Sequence, residues 1–256
     1  MRFGRLGIPP REPRALARVG SIAISSAEEV QIGRSMSDVV IKEEEKPLAD
    51  PAKQRALNSI GNKIVGVSDR RDIVYHFMVL DNKDLNAFAL PGGYIFVYRG
   101  LFDRLKESEL AAVVAHEIAH AAAKHAVKRM QSALGYDVLL LLVSVGLGNK
   151  NPTLLSQISG VSNTVFGLLS RGYSREDELE ADRLAVKYLM LAGVDPQGMV
   201  RALEFLLREK GPSGRVFEVL STHPRMEERI KKVKEQIEKY KVNPPTVSPS
   251  MAKGTK

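Results

Sequence analysis

Hydrophobic and polar residues follow a helical period over most of this chain and a strand-like pattern in one short section. Segments rich in β-branched and aromatic residues predict strands at residues 72–80, 87–90 and 94–98, and the Pro-Gly-Gly sequence at 91–93 predicts a turn. Helices are predicted at residues 26–40, 51–66, 108–130, 174–191 and 195–211, and in a segment that begins at Pro224. The pattern therefore predicts an α+β, mainly helical fold, with a small β-sheet before the third helix.

Three of these helices carry signals at their starts. Ser26 and Glu29 have the spacing of a capping box. Asp50 followed by Pro51 supplies a cap and a first-turn residue for the second helix. Ser108 is the predicted cap of the third helix.

The third helix carries the sequence HEIAH at residues 116–120, an HExxH motif. On a helix, His116 and His120 lie one turn apart on the same face, so both ring nitrogens can bind a single Zn²⁺. Glu117 lies beside them, where its carboxylate can act as general base toward a metal-activated water. Residues 110–123 are otherwise almost wholly apolar or small, and burying three polar groups there without a function would be costly.

Two histidines leave a catalytic zinc site incomplete, because such a site normally has three protein ligands. His125 is nine residues from His116, about 180° away on the far side of the helix, and is excluded as a ligand. Ala126 occupies the position at which the three-histidine class of HExxH proteins has its last histidine, so that class is excluded as well. A carboxylate from another element is therefore expected to complete the site.

The helix that begins after Ser174 offers several carboxylates. On a helical wheel Glu178 and Asp182 share a face with small alanines, whereas Glu176 and Glu180 point to the opposite side. We therefore predict Glu178 as the third ligand and Asp182 as a residue that orients a ligand histidine through its other nitrogen.

These motifs resemble the zinc metallopeptidase family that includes HtpX, BepA and the CAAX prenyl proteases, a gluzincin group. The matching sequences are HEIAH, the later SRxxExxAD, NAFALPGG at residues 86–93 and the Thr-His-Pro sequence at 222–224, and their order covers residues 26–240. The resemblance implies a thermolysin-like peptidase core with one Zn²⁺ on His116, His120 and Glu178, and Glu117 as base. The soluble, envelope members of the BepA type are the better match, because the chain lacks the long hydrophobic spans of the membrane members.

Two further assignments follow the resemblance. Residues 86–90 suit an edge strand, so Asn86, Ala87, Phe88 and Ala89 are predicted to bind an extended peptide by main-chain pairing, with an inner hairpin strand as the alternative. The role of His223 is left open. In BepA-like proteins the matching histidine can approach the metal, either as a fourth ligand or as a group that aids the transition state. The alternative is that His223 is a structural residue.

Composition and charge limit the domain organisation. The 256 residues are 44% hydrophobic, and the longest apolar run, at residues 138–147, is too short for a membrane span. We predict a basic, disordered arm at residues 1–25, one metallopeptidase domain at 26–240 with a lid-like insertion at 135–169, and a disordered tail at 241–256. The insertion is a candidate lid, membrane contact or dimer contact.

The chain has no cysteine, which excludes disulfides and thiolate ligands, and its net charge is +8. The absence of tryptophan and of an aromatic-rich basic motif argues against nucleic acid as a binding partner. The positive charge is better explained by contact with a phospholipid surface or by solubility alone. No apolar signal segment follows the basic arm, so the sequence as given predicts no export signal, although the resemblance favours the periplasm or cell envelope over the cytoplasm. The oligomeric state is left open.

The sequence therefore predicts a zinc endopeptidase that acts on polypeptides, which by resemblance are unfolded or misassembled envelope proteins. The alternative is a non-catalytic or latent zinc-bound chaperone or scaffold in which His223 closes the metal site. A small-molecule zinc hydrolase is a third hypothesis, and it requires a deep, closed pocket.

Overall fold

The computed structural model describes residues 24–134, 172–209, 223 and 226–247. These residues form a mainly helical fold with one small sheet, as the sequence predicts. The helices are α1 (Ser26–Val39), α2 (Pro51–Val65), α3 (Arg99–Arg104), α4 (Glu107–Ala122), α5 (His125–Leu134), α6 (Arg175–Leu191), α7 (Gln197–Arg208) and α8 (Met226–Val242), and the strands are β1 (His76–Leu80), β2 (Ala87–Leu90) and β3 (Tyr94–Tyr98).

The sheet has the strand order β1-β3-β2. β2 and β3 form an antiparallel pair across the turn at Pro91–Gly93, and β1 pairs with β3 in parallel. Gly92 has a φ of 73° at this turn, where a side chain would be strained. The predicted β2 and β3 are confirmed in full, whereas the first strand begins at His76 rather than at residue 72.

The start of α1 differs from the prediction by one residue. Ser25, not Ser26, is the cap, and its side chain accepts the backbone N–H of Glu28 while the Glu28 carboxylate accepts the N–H of Ser25. Glu29 instead points inward and pairs with Arg70 through two 2.8 Å contacts. The predicted pairing of Ser26 with Glu29 in a capping box is wrong because the helix starts one residue earlier. Glu28 then occupies the capping position, and Glu29 faces the core.

Helix α2 begins after Asp50, whose side chain accepts two backbone N–H groups, as predicted. Helix α4 lies at the centre of the main hydrophobic core and packs most extensively against α6 and α7. It begins at Glu107, one residue before the predicted cap, and the Glu109 carboxylate accepts the N–H of Lys106.

The prediction of one continuous helix through residue 130 is wrong. Helix α4 ends at Ala122, Lys124 takes a left-handed conformation with a φ of 58°, and α5 starts at His125. This break invalidates the helical wheel that placed His125 on the far side from His116.

The division into an arm, one metallopeptidase domain and a tail stays a prediction. Within the described residues, Ser25 caps α1 and α8 ends at Val242. The insertion at 135–169, its apolar run and most of the predicted arm and tail lie outside the described residues. Among the described helices, none combines the length and apolar content needed to cross a bilayer.

Candidate metal centre

Four side chains meet between α4 and α6: His116, His120, Glu178 and His223. Each offers one donor atom, and these atoms lie within 4.8 Å of one another, with all four side chains buried. His116 and His120 come from consecutive turns of α4, and Glu178 comes from the first turn of α6. His223 is described without its sequence neighbours, Thr222 and Pro224.

The distances between these donor atoms suit a tetrahedral ion. Nε2 of His116 lies 3.0 Å from Nε2 of His120, 3.3 Å from Nδ1 of His223 and 3.5 Å from Oε2 of Glu178. Glu178 Oε1 lies 2.9 Å from His223 Nδ1 and 3.5 Å from His120 Nε2. Bonds of 2.0–2.1 Å to a tetrahedral zinc ion would place donor atoms about 3.3–3.4 Å apart. The donor types and their spacing therefore fit zinc.

Two buried oxygen atoms at this centre lack a hydrogen-bond partner among the described residues, namely Glu117 Oε2 and Glu178 Oε2. Arg229 Nη1 does lie 2.8 Å from Glu178 Oε2, but this contact is an ion pair without hydrogen-bond geometry. Glu117 is 1% exposed, and its other oxygen lies 3.6 Å from His223 Nε2. A buried carboxylate oxygen without a donor suits a group that accepts a proton from a bound water.

Arg229 is a buried residue that the sequence analysis missed. It donates two hydrogen bonds to Asp182, from Nη2 to Oδ1 at 2.7 Å and from Nε to Oδ2 at 2.8 Å. Asp182 Oδ1 in turn lies 2.9 Å from His116 Nδ1, the nitrogen that faces away from the donor cluster. Arg229 was detectable as a single cation on the apolar face formed by Met226, Val233 and Ile237.

The charges of the centre attract cations. Glu117, Glu178 and Asp182 are three buried carboxylates beside one buried guanidinium, which leaves two negative charges uncompensated when the histidines are neutral. Burial alone would raise the pKa of Asp182, but Arg229 outweighs burial and lowers this pKa to about 2. Burial likewise opposes the ionised form of Glu178, yet His223 and Arg229 hold its pKa well below the usual range.

The surroundings shift the pKa values of the two α4 histidines in opposite directions. Burial and Arg229 act to lower the pKa of His116, but the nearby Asp182 and Glu178 carboxylates raise it to about 9. Burial and the neighbouring His116 hold the pKa of His120 well below its usual value. The carboxylates thus draw positive charge to this space, either a proton on His116 or a dication held by the donor atoms.

Two aromatic neighbours of His120 were also missed. Tyr173 stacks on the His120 ring with centroids 4.1 Å apart and planes 23° apart. His125 was predicted to lie on the far side of the helix, but its Nδ1 contacts His120 Nδ1 at 2.8 Å because the chain turns at Lys124. His125 is not part of the donor cluster.

The remaining acidic residues of α6 lie away from the donor atoms. Glu176 is largely exposed, and Glu180 has a partly exposed side chain that approaches His125 rather than the metal centre. This placement separates Glu178 from its neighbours in the way that the helical wheel predicts.

The predicted peptide-binding strand lies at the end of the sheet order, and helix α4 packs against it. Ala87 and Ala89 are buried, Phe88 is partly exposed and stacks on Phe96 with centroids 5.1 Å apart. The main-chain oxygen of Asn86 accepts the N–H of Tyr98, and its buried side-chain oxygen has no hydrogen-bond partner among the described residues.

The donor cluster, with HExxH on α4 and a carboxylate on α6, has the arrangement of metallopeptidases whose metal ligands lie on helices. Comparison with known proteins agrees, because the family model described as peptidase family M48 matches residues 51–237. The chain belongs to this family.

The similar proteins are proteases of bacteria and mitochondria. The beta-barrel assembly-enhancing protease of Escherichia coli (strain K12) is 33% identical over 194 residues, which cover 71% of this chain and 38% of that protein. The mitochondrial metalloendopeptidase OMA1 of Schizosaccharomyces pombe is 32% identical, covering 70% of this chain and 52% of OMA1. Metalloprotease LoiP of E. coli is 30% identical, covering 70% and 67% respectively. The chain thus spans well under half of the first of these relatives.

Proposed function

We propose that the protein is a zinc-dependent metalloendopeptidase of the gluzincin type. His116, His120 and Glu178 hold one Zn²⁺, and Glu117 is the general base. The observation that carries this proposal is the buried set of donor atoms from α4 and α6, which lie within 4.8 Å of one another beside the unpartnered Glu117 Oε2.

The residues of the chain divide the work of peptide hydrolysis. When bound, zinc acts as a Lewis acid toward the peptide carbonyl and lowers the pKa of a coordinated water. Glu117 accepts the proton of the attacking water and returns it to the leaving amine. Asp182 accepts the Nδ1 proton of His116 at 2.9 Å, which orients the ring and leaves Nε2 free as a ligand. Arg229 holds Asp182 with two hydrogen bonds and keeps it ionised.

Replacement of Glu117 tests the proposal. Glu117→Gln should bind zinc as the wild type does and lose roughly 10²–10⁴-fold in peptidase rate, because it removes the base and keeps the ligands. Glu107→Gln, an exposed position on the same helix, is the matched control and should keep both properties. Casein cleavage and zinc content by metal analysis are the two measurements. Unchanged turnover in Glu117→Gln would refute the role of Glu117, and absence of zinc from the wild type would refute the metal site.

We also infer the class of substrate. Membership of a peptidase family supports polypeptides, and the relative named a beta-barrel assembly-enhancing protease supports unfolded or misassembled proteins of the cell envelope, with a periplasmic location. Contact with a membrane surface would suit the net charge of +8.

The β2 strand is the proposed substrate-binding element. An extended peptide that pairs with residues 86–89 would lie beside α4, which carries the HExxH motif. Ala87 and Ala89 are buried and Phe88 is partly exposed, so a peptide would first reach the main chain of β2 at Phe88. Such pairing makes little demand on the substrate sequence, which suits a protease for unfolded proteins.

A latent form of the same enzyme is the second candidate, and the position of His223 favours it. Its Nδ1 lies 3.3 Å from His116 Nε2 and 2.9 Å from Glu178 Oε1, as a fourth ligand would. His116, His120, Glu178 and His223 would together fill the four positions of a tetrahedral zinc ion, which would close the site to water. Release of His223 would open it.

Replacement of His223 distinguishes a gate from a catalytic group. As a gate, His223→Ala should raise basal casein cleavage with zinc content little changed, because the fourth position becomes free. If His223 stabilises the transition state, the same variant should lower kcat and keep zinc. A variant with wild-type kinetics and only a lower melting temperature would show that His223 is structural.

A further inference from the structure

His125 is a buried histidine outside the donor cluster that touches one of its members. Its Nδ1 lies 2.8 Å from Nδ1 of His120. On the other side of its ring, Nε2 lies 3.4 Å from Glu180 Oε2 and 3.5 Å from Asp177 Oδ1. His125 therefore lies between a proposed ligand and two carboxylates near the surface.

The positions of the nitrogens determine where the protons are. His120 Nε2 faces His116 and Glu178, so it must keep its lone pair free if it is to bind a metal. A neutral imidazole has one donor and one acceptor nitrogen, which puts the proton of His120 on Nδ1. Since two nitrogens 2.8 Å apart share a single proton, Nδ1 of His125 accepts it. The proton of His125 then lies on Nε2, which faces the two carboxylates.

Local structure holds this arrangement in place. The left-handed conformation of Lys124 ends α4 and starts α5 with His125, which turns the His125 ring back toward His120. Tyr173 stacks on the His120 ring and restrains its plane. The sequence between the two histidines would keep them on different sides if the helix continued.

We propose that His125 is a positioning residue of the metal centre: it accepts the Nδ1 proton of His120 and thereby presents Nε2 of His120 to a divalent metal ion. This inference rests on the proposed zinc site. His116 is oriented directly by a carboxylate, Asp182, whereas His120 is oriented by a neutral imidazole whose carboxylate partners lie one ring further out. Loss of such an orienting partner typically weakens metal binding 10–100-fold.

The first test measures the zinc dissociation constant of the full chain by competition with a chromophoric chelator. His125→Phe keeps a buried ring but has no acceptor, and it should raise the dissociation constant 10–100-fold. His125→Asn places an oxygen near the position of Nδ1 and should restore most of this affinity. His76→Phe is the matched control, because His76 is exposed at the start of β1, and it should bind zinc as the wild type does.

The outcomes separate the two proposals. Absence of zinc binding by the wild type would overturn the zinc site itself. Tight binding by the wild type, with the same dissociation constant in folded His125→Phe, would overturn the role of His125 alone. Melting of the metal-free variants by circular dichroism shows whether each one is folded.

A second test needs no substitution. In the zinc-bound wild type labelled with ¹⁵N-histidine, NMR should show His120 protonated on Nδ1 and His125 protonated on Nε2 only. A proton on Nδ1 of His125 would overturn the proposal, because that nitrogen could then not accept from His120. This readout stays decisive even if His125→Phe does not fold.

Discussion

Arg229 shows how one side chain can determine the electrostatics of a buried centre. Its guanidinium binds both oxygens of Asp182 and contacts Glu178, and it is 3% exposed. A planar group with several donors suits two carboxylates at fixed positions better than a lysine would. Without Arg229, the buried carboxylates of Asp182 and Glu178 would lose the positive charge that both of them contact.

Replacing Arg229 should therefore lower the free energy of unfolding, by an amount that depends on whether zinc is present. Arg229→Met should lower the free energy of unfolding of the metal-free protein by about 3–5 kcal/mol, because it leaves buried charges unpaired. Added zinc should reduce this loss, since a dication replaces part of the missing charge. Urea denaturation at pH 7 with and without zinc measures both effects.

The control for Arg229 is Arg175, which also joins α6 to α8 but does so at the surface through Glu228. Arg175→Met should cost less than about 1 kcal/mol, as exposed ion pairs usually do. Equal losses in the two variants would contradict the role assigned to burial.

At the scale of the elements, the Glu29–Arg70 pair connects three parts of the fold. The Glu29 carboxylate on α1 accepts from Arg70 and from the N–H of Gly92 in the Pro91–Gly93 turn. Arg70 also donates to the main-chain oxygen of Ala121 near the end of α4. This network ties the turn before β3, and the strand β2 that precedes it, to the helix that carries the HExxH motif.

Two neighbouring glutamates on α1 test this network. Glu29→Ala should cost about 3–5 kcal/mol of unfolding free energy, because it leaves the buried Arg70 with only the exposed Asp72 as an anionic partner. Glu28→Ala removes one half of the capping box and should cost only about 1 kcal/mol. Urea unfolding of both variants measures the difference. A larger loss of stability in Glu28→Ala than in Glu29→Ala would contradict the buried role of Glu29.

At the scale of the whole molecule, the donor atoms join α4 to α6 and to His223, so metal binding should stabilise the folded chain. A ligand present at 100 times its dissociation constant adds about 2.7 kcal/mol. For a chain of this size that corresponds to a melting temperature roughly 5–10 °C higher.

Metal removal tests this linkage. Excess chelator should lower the melting temperature of the wild type and of Glu176→Ala, because Glu176 is exposed and away from the donors. Glu178→Ala should show little response, since it lacks a ligand and already binds the metal weakly. A chelator that leaves the wild type unchanged, or that shifts Glu178→Ala as much, would contradict Glu178 as a ligand.

Local sequence spacing determined a large part of this protein. The pairing of His116 with His120, the placement of Glu178 and Asp182 on one face of α6, the cap at Asp50 and the turn between β2 and β3 all depend on residues within a few positions of each other. Helical and strand periodicity is a property of such short segments, so the sequence alone predicts it.

Only the tertiary structure decided which distant residues join the centre. Arg229 reaches Asp182 from a helix 47 residues later, and Arg70 reaches Glu29 across 41 residues. His125 contacts His120 because one residue, Lys124, leaves the helical conformation, which a helical wheel does not represent. Buried polar partners are selected by packing and by the cost of leaving a charge unpaired, and both are set by the whole fold rather than by neighbouring residues.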